Sequence, residues 1–430
     1  MAAPVNKQTE TIYDLFGPRA LYALHVGVPP KKLLHSFAKL MSSATTTAVE
    51  REIESDDCLA GILQYGYPVG ESNFREELAK FLTKEYGSEV NPANLVQTSG
   101  ASLALVFMLN QLFSHKVPIY VEKVAYFRTL AILHGFHYET PAIRTELDGI
   151  DTKDLERVWE RDLANVKTAK DEYAAVLYLV PQYSNPLGTQ LSEDKSKEVV
   201  RLARKYNVLV ICDDVYNLHY FDGIKQKRLF AYDVETDPDY DKDHVCSSGS
   251  FSKLFFPALR LGWVECGPTV RRKCFSQGAV TCSGGSMNSF TAAVVTEVLR
   301  SGAAHEHVRL NREDAARKMK IALDLLEKHL PSKCGVFFKP NGGYFVFVTL
   351  PMSIKSTDAF LHLKNNHDVF VNDGRLFWAG SEKETDKDYP MCNGLRVAIP
   401  YLEEEHLKLA VKQLCKGLTE LCNDSNNNQS

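Results

Sequence analysis

Residues Ala174 to Val180 (AAVLYLV) form an unbroken apolar run, and a second run, Val208 to Cys212 (VLVIC), follows after a stretch of helical periodicity. A strand that is apolar on both faces needs both faces covered, as in a parallel sheet sandwiched between helices. Between the runs, Ser192 stands where a helix cap is expected, with Glu193 and Asp194 in the first turn. Val199, Leu202, Ala203 and Tyr206 then recur at i, i+3, i+4 and i+7, an apolar stripe that can lie on a sheet. Strand, helix and strand within about forty residues predict a right-handed βαβ crossover. The middle of the chain is therefore expected to be α/β.

The C-terminal third is patterned differently. A long amphipathic helix is predicted from about Glu306 to Leu330, then strands at Tyr344–Thr349, Val369–Asn372 and Leu395–Ile399, then a last helix from about Glu403 to Leu421. Short strands separated by charged loops, including Ala379 to Asn393, predict a smaller α+β unit packed on the main sheet. The polar stretch from Asn423 to Ser430 is expected to be a disordered tail.

Charge and cysteine usage exclude several classes. Fifty Lys plus Arg against 54 Asp plus Glu leave a net charge of −4, so no basic field exists to hold nucleic acid or anionic lipid. The ten cysteines include no C-x-x-C, which argues against a zinc ribbon or disulfide framework, so no metal site is expected and free thiols in a reducing compartment are. The first residues lack an apolar h-region and no stretch reaches the length of a membrane span. A cytoplasmic protein is expected, with no membrane and no nucleic-acid partner.

Ligands of open α/β sheets bind beyond the carboxyl ends of the strands. After Ala174–Val180 comes Pro181-Gln182-Tyr183-Ser184-Asn185-Pro186-Leu187-Gly188, and after Val208–Cys212 come Asp213, Asp214 and Tyr216. Taken singly, an Asn-Pro pair is also a common turn and an Asp after a strand also a helix cap. Ser99-Gly100-Ala101-Ser102 opens the apolar helix Leu103–Phe113, leaving backbone N–H groups for a phosphate. No Walker lysine pattern and no G-x-G-x-x-G is present. Ser250-Phe251-Ser252-Lys253 followed by Arg260 combines hydroxyls and a guanidinium for a phosphate with an amine nucleophile, inside a charge-poor run from Val245 to Cys266.

The ordered set Tyr65, Ser99-Gly100, Tyr126, Asn185-Pro186-x-Gly188, Asp213-x-x-Tyr216, Ser250-x-Ser252-Lys253, Arg260 and Arg396 resembles the pyridoxal-phosphate-dependent aminotransferases of fold type I. Within them it is most similar to the branch of 2-aminoadipate and kynurenine aminotransferases and of the aminotransferase domain of MocR-type regulators. The likeness runs in order from about Tyr22 to Leu421. It implies a large domain with a mostly parallel sheet that binds pyridoxal 5′-phosphate, at residues 51–305. A smaller α+β domain would comprise part of the arm 1–50 and residues 306–422, with 423–430 as the tail.

The resemblance also implies roles. Lys253 would hold the coenzyme as a Schiff base and shuttle the proton between the substrate Cα and the coenzyme, through a pyridoxamine form. Asp213 would pair with the pyridine nitrogen, with Asp214 the poorer candidate by spacing. Tyr216 and Asn185 would bond the phenolate oxygen. Ser250, Ser252, Arg260, Ser99 and the backbone of Gly100, Ala101 and Ser102 would bind the phosphate, and Tyr126 would stack on the ring. Tyr65 would reach the phosphate of a neighbouring subunit, making a homodimer with shared active sites. Arg396 and Asn185 would bind the α-carboxylate, and Gly27 belongs to a segment folding over the substrate. The sequence departs from the family pattern at Val124, where proline is usual, and at Ala101, where a hydroxyl is frequent.

The expected activity is transfer of an amino group from an L-amino acid to a 2-oxo acid such as 2-oxoglutarate. A β- or γ-lyase using the same lysine is the alternative, and a non-catalytic coenzyme sensor the remote one, since the pattern begins too early for a preceding winged helix. The donor amino acid is left open. Arg19 is a candidate for a distal carboxylate, though a surface arginine is the better reading there, and Tyr22, Tyr67 and Phe345 are candidate residues of the entrance.

Overall fold

The computed structural model describes residues 21–55, 61–170, 172–284, 288–380 and 388–427, so Arg19 and Cys58 lie outside the described residues. Its centre is a seven-stranded sheet: β1 (Leu95–Thr98), β2 (Ile119–Glu122), β3 (Ala142–Ile143), β4 (Ala175–Leu179), β5 (Val208–Asp213), β6 (Val245–Ser250) and β7 (Gly262–Glu265). The spatial order is β1-β7-β6-β5-β4-β2-β3. All neighbours are parallel except β7, which is antiparallel to β1 and β6. This is the mostly parallel α/β sheet that the two apolar runs predict.

The apolar run at β4 is explained by its two faces. Ala175, Leu177 and Leu179 pack with helices α5 (Thr152–Leu163) and α6 (Glu193–Tyr206), around Trp159, Val199 and Leu202. Val176, Tyr178 and Val180 point the other way, toward α3 (Ala101–Leu112) and α4 (Phe127–Gly135), around Leu105, Met108 and Leu133. Alternation places every side chain of the run in one core or the other. Farther along the sheet, α1 (Lys31–Glu54), α2 (Ser72–Tyr86) and α8 (Ser289–Arg300) enclose a third cluster with Phe37, Phe74, Trp263 and Val295.

Ser192 sits at the start of α6 as expected, but its hydroxyl does not cap the helix. It donates instead to Asp148 Oδ2 at 3.2 Å, because the turn holding Glu146 and Asp148 also gathers Lys195. A tertiary contact thus overrides the local capping signal.

A long helix, α9 (Ala303–His329), leads into a second sheet of four antiparallel strands. These are β8 (Gly335–Val336), β9 (Phe345–Thr349), β10 (Asn372–Asp373) and β11 (Gly394–Ala398), ordered β8-β9-β11-β10. Helix α10 (Ser356–His367) and the C-terminal helix α11 (Glu404–Asn427) cover it. The segment Tyr22–Ala23 pairs in parallel with Val369–Phe370 as a separate two-stranded sheet, and the bond from Ala398 N to Leu24 O ties the N-terminal part of the described chain to the four-stranded one. Helix α11 runs past Leu421 to Asn427, into the stretch expected to be a tail. Its apolar stripe of Leu414, Cys415 and Leu418 continues in phase to the buried Cys422, which carries the helix on. No helix among the described residues is long and apolar enough to cross a membrane, and no disulfide joins the nine described cysteines to one another.

Gly249 is required where β6 meets β7. It lies directly opposite Trp263, and a Cβ at this position would stand 2.0 Å from the indole ring. Gly249→Ala is expected to destabilise the fold by about 1–3 kcal/mol through overpacking, read as a lower midpoint in urea unfolding. An unchanged midpoint would mean that Trp263 moves aside freely.

Candidate active site

The carboxyl ends of β4, β5 and β6 open onto a cavity of about 270 Å³. Ala101, Ser102, Tyr126, Asn185, Asp213, Tyr216, Ser250, Ser252, Lys253 and Arg260 all line it, with Val28 from the N-terminal segment. Residues from six separate stretches of sequence meet there, and the last three are aligned because Leu179 of β4 pairs with Cys212 of β5 and Asp213 of β5 with Ser248 of β6.

At one end of the cavity, groups suited to a phosphate converge. Helix α3 begins at Ala101 with no side chain capping it, so its first-turn N–H groups and positive dipole end face inward. Gly100 precedes it with φ +92°, and a Cβ there would come within 3.1 Å of Arg260 Nη2. Glycine thus allows both the turn and the approach of the guanidinium. Arg260 Nη1 donates to Ser252 Oγ at 3.1 Å, and Ser250 Oγ accepts from Ser252 N at 3.2 Å. Ser99 is buried behind this loop and does not reach the cavity.

Lys253 lies on the four-residue helix α7 (Phe251–Leu254), which follows β6 directly. Its amine donates to the Gly27 carbonyl at 2.6 Å. Burial, then the nearby Arg396 cation, lowers the amine to about 8. The Lys253 carbonyl is held as firmly: Tyr344 OH and Asn311 Nδ2 each donate to it at 3.0 Å, and His219 Nε2 lies 3.3 Å away. Burial, then Arg312, lowers His219 to about 3, so its imidazole is neutral.

Asp213 ends β5. Its Oδ2 accepts from Tyr178 OH at 2.8 Å, and Thr129 Oγ1 makes a 3.0 Å bond to that same tyrosine oxygen. Its Oδ1 is buried without any hydrogen bond. Burial raises the carboxyl to about 6, against the Tyr178 hydrogen bond and the Lys253 charge. Asp214 turns away from the cavity and is bonded by Ser247 Oγ. The two neighbouring carboxylates thus point to different surroundings, Asp213 to the cavity and Asp214 away from it.

Arg396, on β11, reaches back over the main sheet. Its Nη1 donates to Asn185 Oδ1 at 3.0 Å, and its Nη2 donates to the His25 carbonyl at 2.8 Å and to Asn372 Oδ1. The guanidinium lies 4.3 Å from the Phe345 ring centroid and 5.2 Å from that of Phe377. Its Nε is buried and unbonded, and no carboxylate among the described residues pairs with it. Burial lowers even this guanidinium to about 10. A buried cation surrounded by neutral dipoles is a place for an anion.

Other expected positions come out differently. Tyr126 lines the cavity although Val124 replaces the usual proline; an antiparallel bridge from Val124 to Trp378 and the bond from Ala125 N to Phe377 O fix this segment instead. Tyr65 is 80% exposed and outside this cavity. Tyr22 is taken up by the pairing with Val369, Tyr67 is exposed, and Phe345 is buried beneath Arg396 rather than at an entrance. Tyr178, Thr129, His219, Asn311 and Tyr344 are the residues that sequence reasoning missed. Tyr178 carried the one available signal, a hydroxyl in an otherwise hydrocarbon run.

The donor set fits pyridoxal 5′-phosphate: an anion cradle at one end, a carboxylate oxygen awaiting a partner at the base, an aromatic ring in Tyr126 and an amine able to be neutral near pH 8.

The model of the family described as aminotransferase class I and II matches residues 40–414. Among curated relatives, aromatic-amino-acid aminotransferase 1 of Thermococcus litoralis is 27% identical over 367 residues, 84% of this chain and 81% of the relative. The 2-aminoadipate transaminase of Thermus thermophilus is 24% identical over 361 residues, 84% and 82% of the two chains. Among solved structures, Pyrococcus horikoshii kynurenine aminotransferase superposes with a TM-score of 0.79 at 24% identity, covering 95% of this chain and 93% of its own.

In cofactor-free protein, acylation of Lys253 by an amine-directed reagent, followed by peptide mass spectrometry, is expected to rise with pH about a midpoint near 8 instead of the ordinary 10.5. A midpoint above 10 would mean that the pocket leaves the amine unshifted.

Proposed function

The chain belongs to the class I and II aminotransferases and is a pyridoxal-phosphate-dependent enzyme, and on that premise we propose that it transfers the amino group of an L-amino acid to a 2-oxo acid, with 2-oxoglutarate as the acceptor. The observation that carries this reading is the buried Arg396, paired with no carboxylate among the described residues, sharing one site with Lys253, whose amine is lowered to about 8. An amino acid and a 2-oxo acid both bring the α-carboxylate that such a cation lacks.

Bound pyridoxal phosphate supplies an electron sink for the charge left when the substrate Cα loses its proton. Around it, Arg396 and Asn185 would orient the substrate carboxylate through the guanidinium N–H groups still available. The neutral amine of Lys253 would take the proton from Cα and return it, a task suited to a group titrating near working pH. Asp213 Oδ1 would hold the proton on the ring nitrogen, with Tyr178 and Thr129 fixing the carboxylate in place. Tyr216 and Asn185 would bond the ring oxygen, Tyr126 would stack on the ring, and Ser250, Ser252, Arg260 and the α3 N-terminus would anchor the phosphate. Ser99 and Gly27 support this frame from behind and above, Gly27 through its carbonyl.

A homodimer is part of the proposal: the exposed Tyr65 is free to serve the cavity of a second copy. A cytoplasmic location accords with the free thiols of the described cysteines.

Lys253→Ala is expected to lose at least about 10⁴-fold in turnover, the upper range for a single acid–base group, and to lose the yellow colour of the bound coenzyme. Mixing the holoenzyme with single L-amino acids, without oxo acid, is expected to bleach that colour once per site and yield the matching 2-oxo acid. Release of ammonia and pyruvate instead would replace transamination by elimination.

Tyr178→Phe tests the hold on Asp213. Loss of a hydrogen bond to the charged form raises the Asp213 pKa above about 6. The acid limb of kcat/KM is therefore expected to move to higher pH, with about a tenfold loss at neutral pH. An unmoved limb would assign the hydroxyl to packing alone.

A further inference from the structure

Away from the catalytic cavity, α10 and α11 bring three ligand atoms to one point. Glu420 Oε2 lies 2.9 Å from His367 Nε2 and 3.3 Å from His362 Nε2, and the three atoms are all within 4.8 Å of one another. His367 is almost wholly buried, with 5% of its side chain exposed, whereas 44% of Glu420 faces solvent. The point is thus walled by protein on one side and open on the other.

The packing that creates it is specific. Gly417 sits one turn before Glu420 on α11, and a Cβ there would come 2.8 Å from His367 Cδ2 and 3.1 Å from its Nε2. A glycine inside a helix costs about 1 kcal/mol relative to alanine, and here it makes the room in which the imidazole lies against the neighbouring helix.

The carboxylate ties the cluster together. His367 Nδ1 lies 3.5 Å from Gln413 Oε1, which would accept its proton when a cation displaces the one at Nε2; without a cation, Nε2 is hydrogen-bonded at 2.9 Å to Glu420 Oε2. His362 Nε2 is closed off from water and makes no hydrogen bond, although that same oxygen is near. The outer nitrogen of His362 is within 2.9 Å of the Asn366 amide, whose oxygen, with the amide turned over, would accept from it. Two imidazole Nε2 atoms and a carboxylate oxygen meet at one spot with an amide behind each ring, and they become the inner and outer shells of a metal site when both rings take the tautomer protonated at Nδ1. Ligand atoms about 2.0–2.1 Å from a tetrahedral ion stand about 3.3 Å apart, close to the two distances found.

We propose that His362, His367 and Glu420 bind a divalent cation of the Zn²⁺ class, which joins α10 to α11 and keeps a coordination position open to solvent. Two imidazoles and one carboxylate suit Zn²⁺, Co²⁺ and Ni²⁺ better than Mg²⁺ or Ca²⁺. The spacing hides this site in the sequence: the histidines are five apart on one helix and the carboxylate lies 53 residues beyond His367, unlike any linear metal motif.

The test uses metal-free holoenzyme titrated with Co²⁺ and followed by visible absorption, with Zn²⁺ as competitor. The expected result is one Co²⁺ per chain with the intense bands of a four-coordinate ion, displaced by Zn²⁺. His362→Gln and Glu420→Gln are each expected to weaken binding by about tenfold or more while metal-free turnover stays at the parent value. Both variants change partly exposed side chains, so folding can be checked by an unchanged thermal midpoint without metal. No saturable Co²⁺ spectrum at millimolar metal, or a spectrum that both variants keep, would overturn the proposal.

Discussion

A cation buried without a counter-anion is the interaction on which the arrangement of this protein turns. Arg396 sits under aromatic rings and, among the described residues, is held by neutral groups alone: the Asn185 and Asn372 side chains and the His25 carbonyl. Such burial is expensive unless something anionic completes it. The same field helps push Lys253 toward the neutral amine, so the positive charge that prepares one group for a carboxylate also prepares the other for proton transfer. Arg260, exposed at the far end, offers its guanidinium to a phosphate. The cavity is electrostatically unfinished at both ends, and the ligand implied by the family carries a matching anion.

What the sequence made legible follows from topology. In a parallel sheet every strand ends at the same edge, so residues just after apolar runs are neighbours in space even when far apart in the chain. Asn185 and Asp213 were found by that rule, and Lys253 by the hydroxyls and the arginine that accompany it in a charge-poor run. Tyr178 was not, because a tyrosine inside AAVLYLV reads as core, and its ring is indeed packed there; only the register Tyr178–Ile211 reveals that the hydroxyl reaches the end of the next strand. Thr129 is invisible for the same reason, lying on a helix that merely crosses that face.

Other features depend on tertiary contacts that no local pattern encodes. Ser192 had the right position and residue type for a cap, yet Asp148 claimed its hydroxyl. The C-terminal helix outlasted its expected end because Cys422 continues a buried stripe. The lead-in Gln182-Tyr183-Ser184 to Asn185 acquires its reason only in three dimensions. Tyr183 adopts φ +52° and fills the space above Gly342 and Gly343, where any side chain would collide with its ring. The loop bearing Asn185 is thereby keyed to the turn that enters the second sheet.

The carbonyl bonds of the N-terminal segment bear on what happens when the site fills. His25 and Gly27 each lend a carbonyl oxygen to a group the chemistry needs, the one to Arg396 Nη2 and the other to Lys253 Nζ. Anything that engages those nitrogens competes with the segment for them, and the competition is reciprocal: a ligand that loosens the segment is itself bound less tightly by the free energy of that loosening. Residues 25–28 therefore behave as an internal competitor tethered to its own target. The affinity of the site for small anions is set partly by how well this piece of backbone, rather than water, occupies their places.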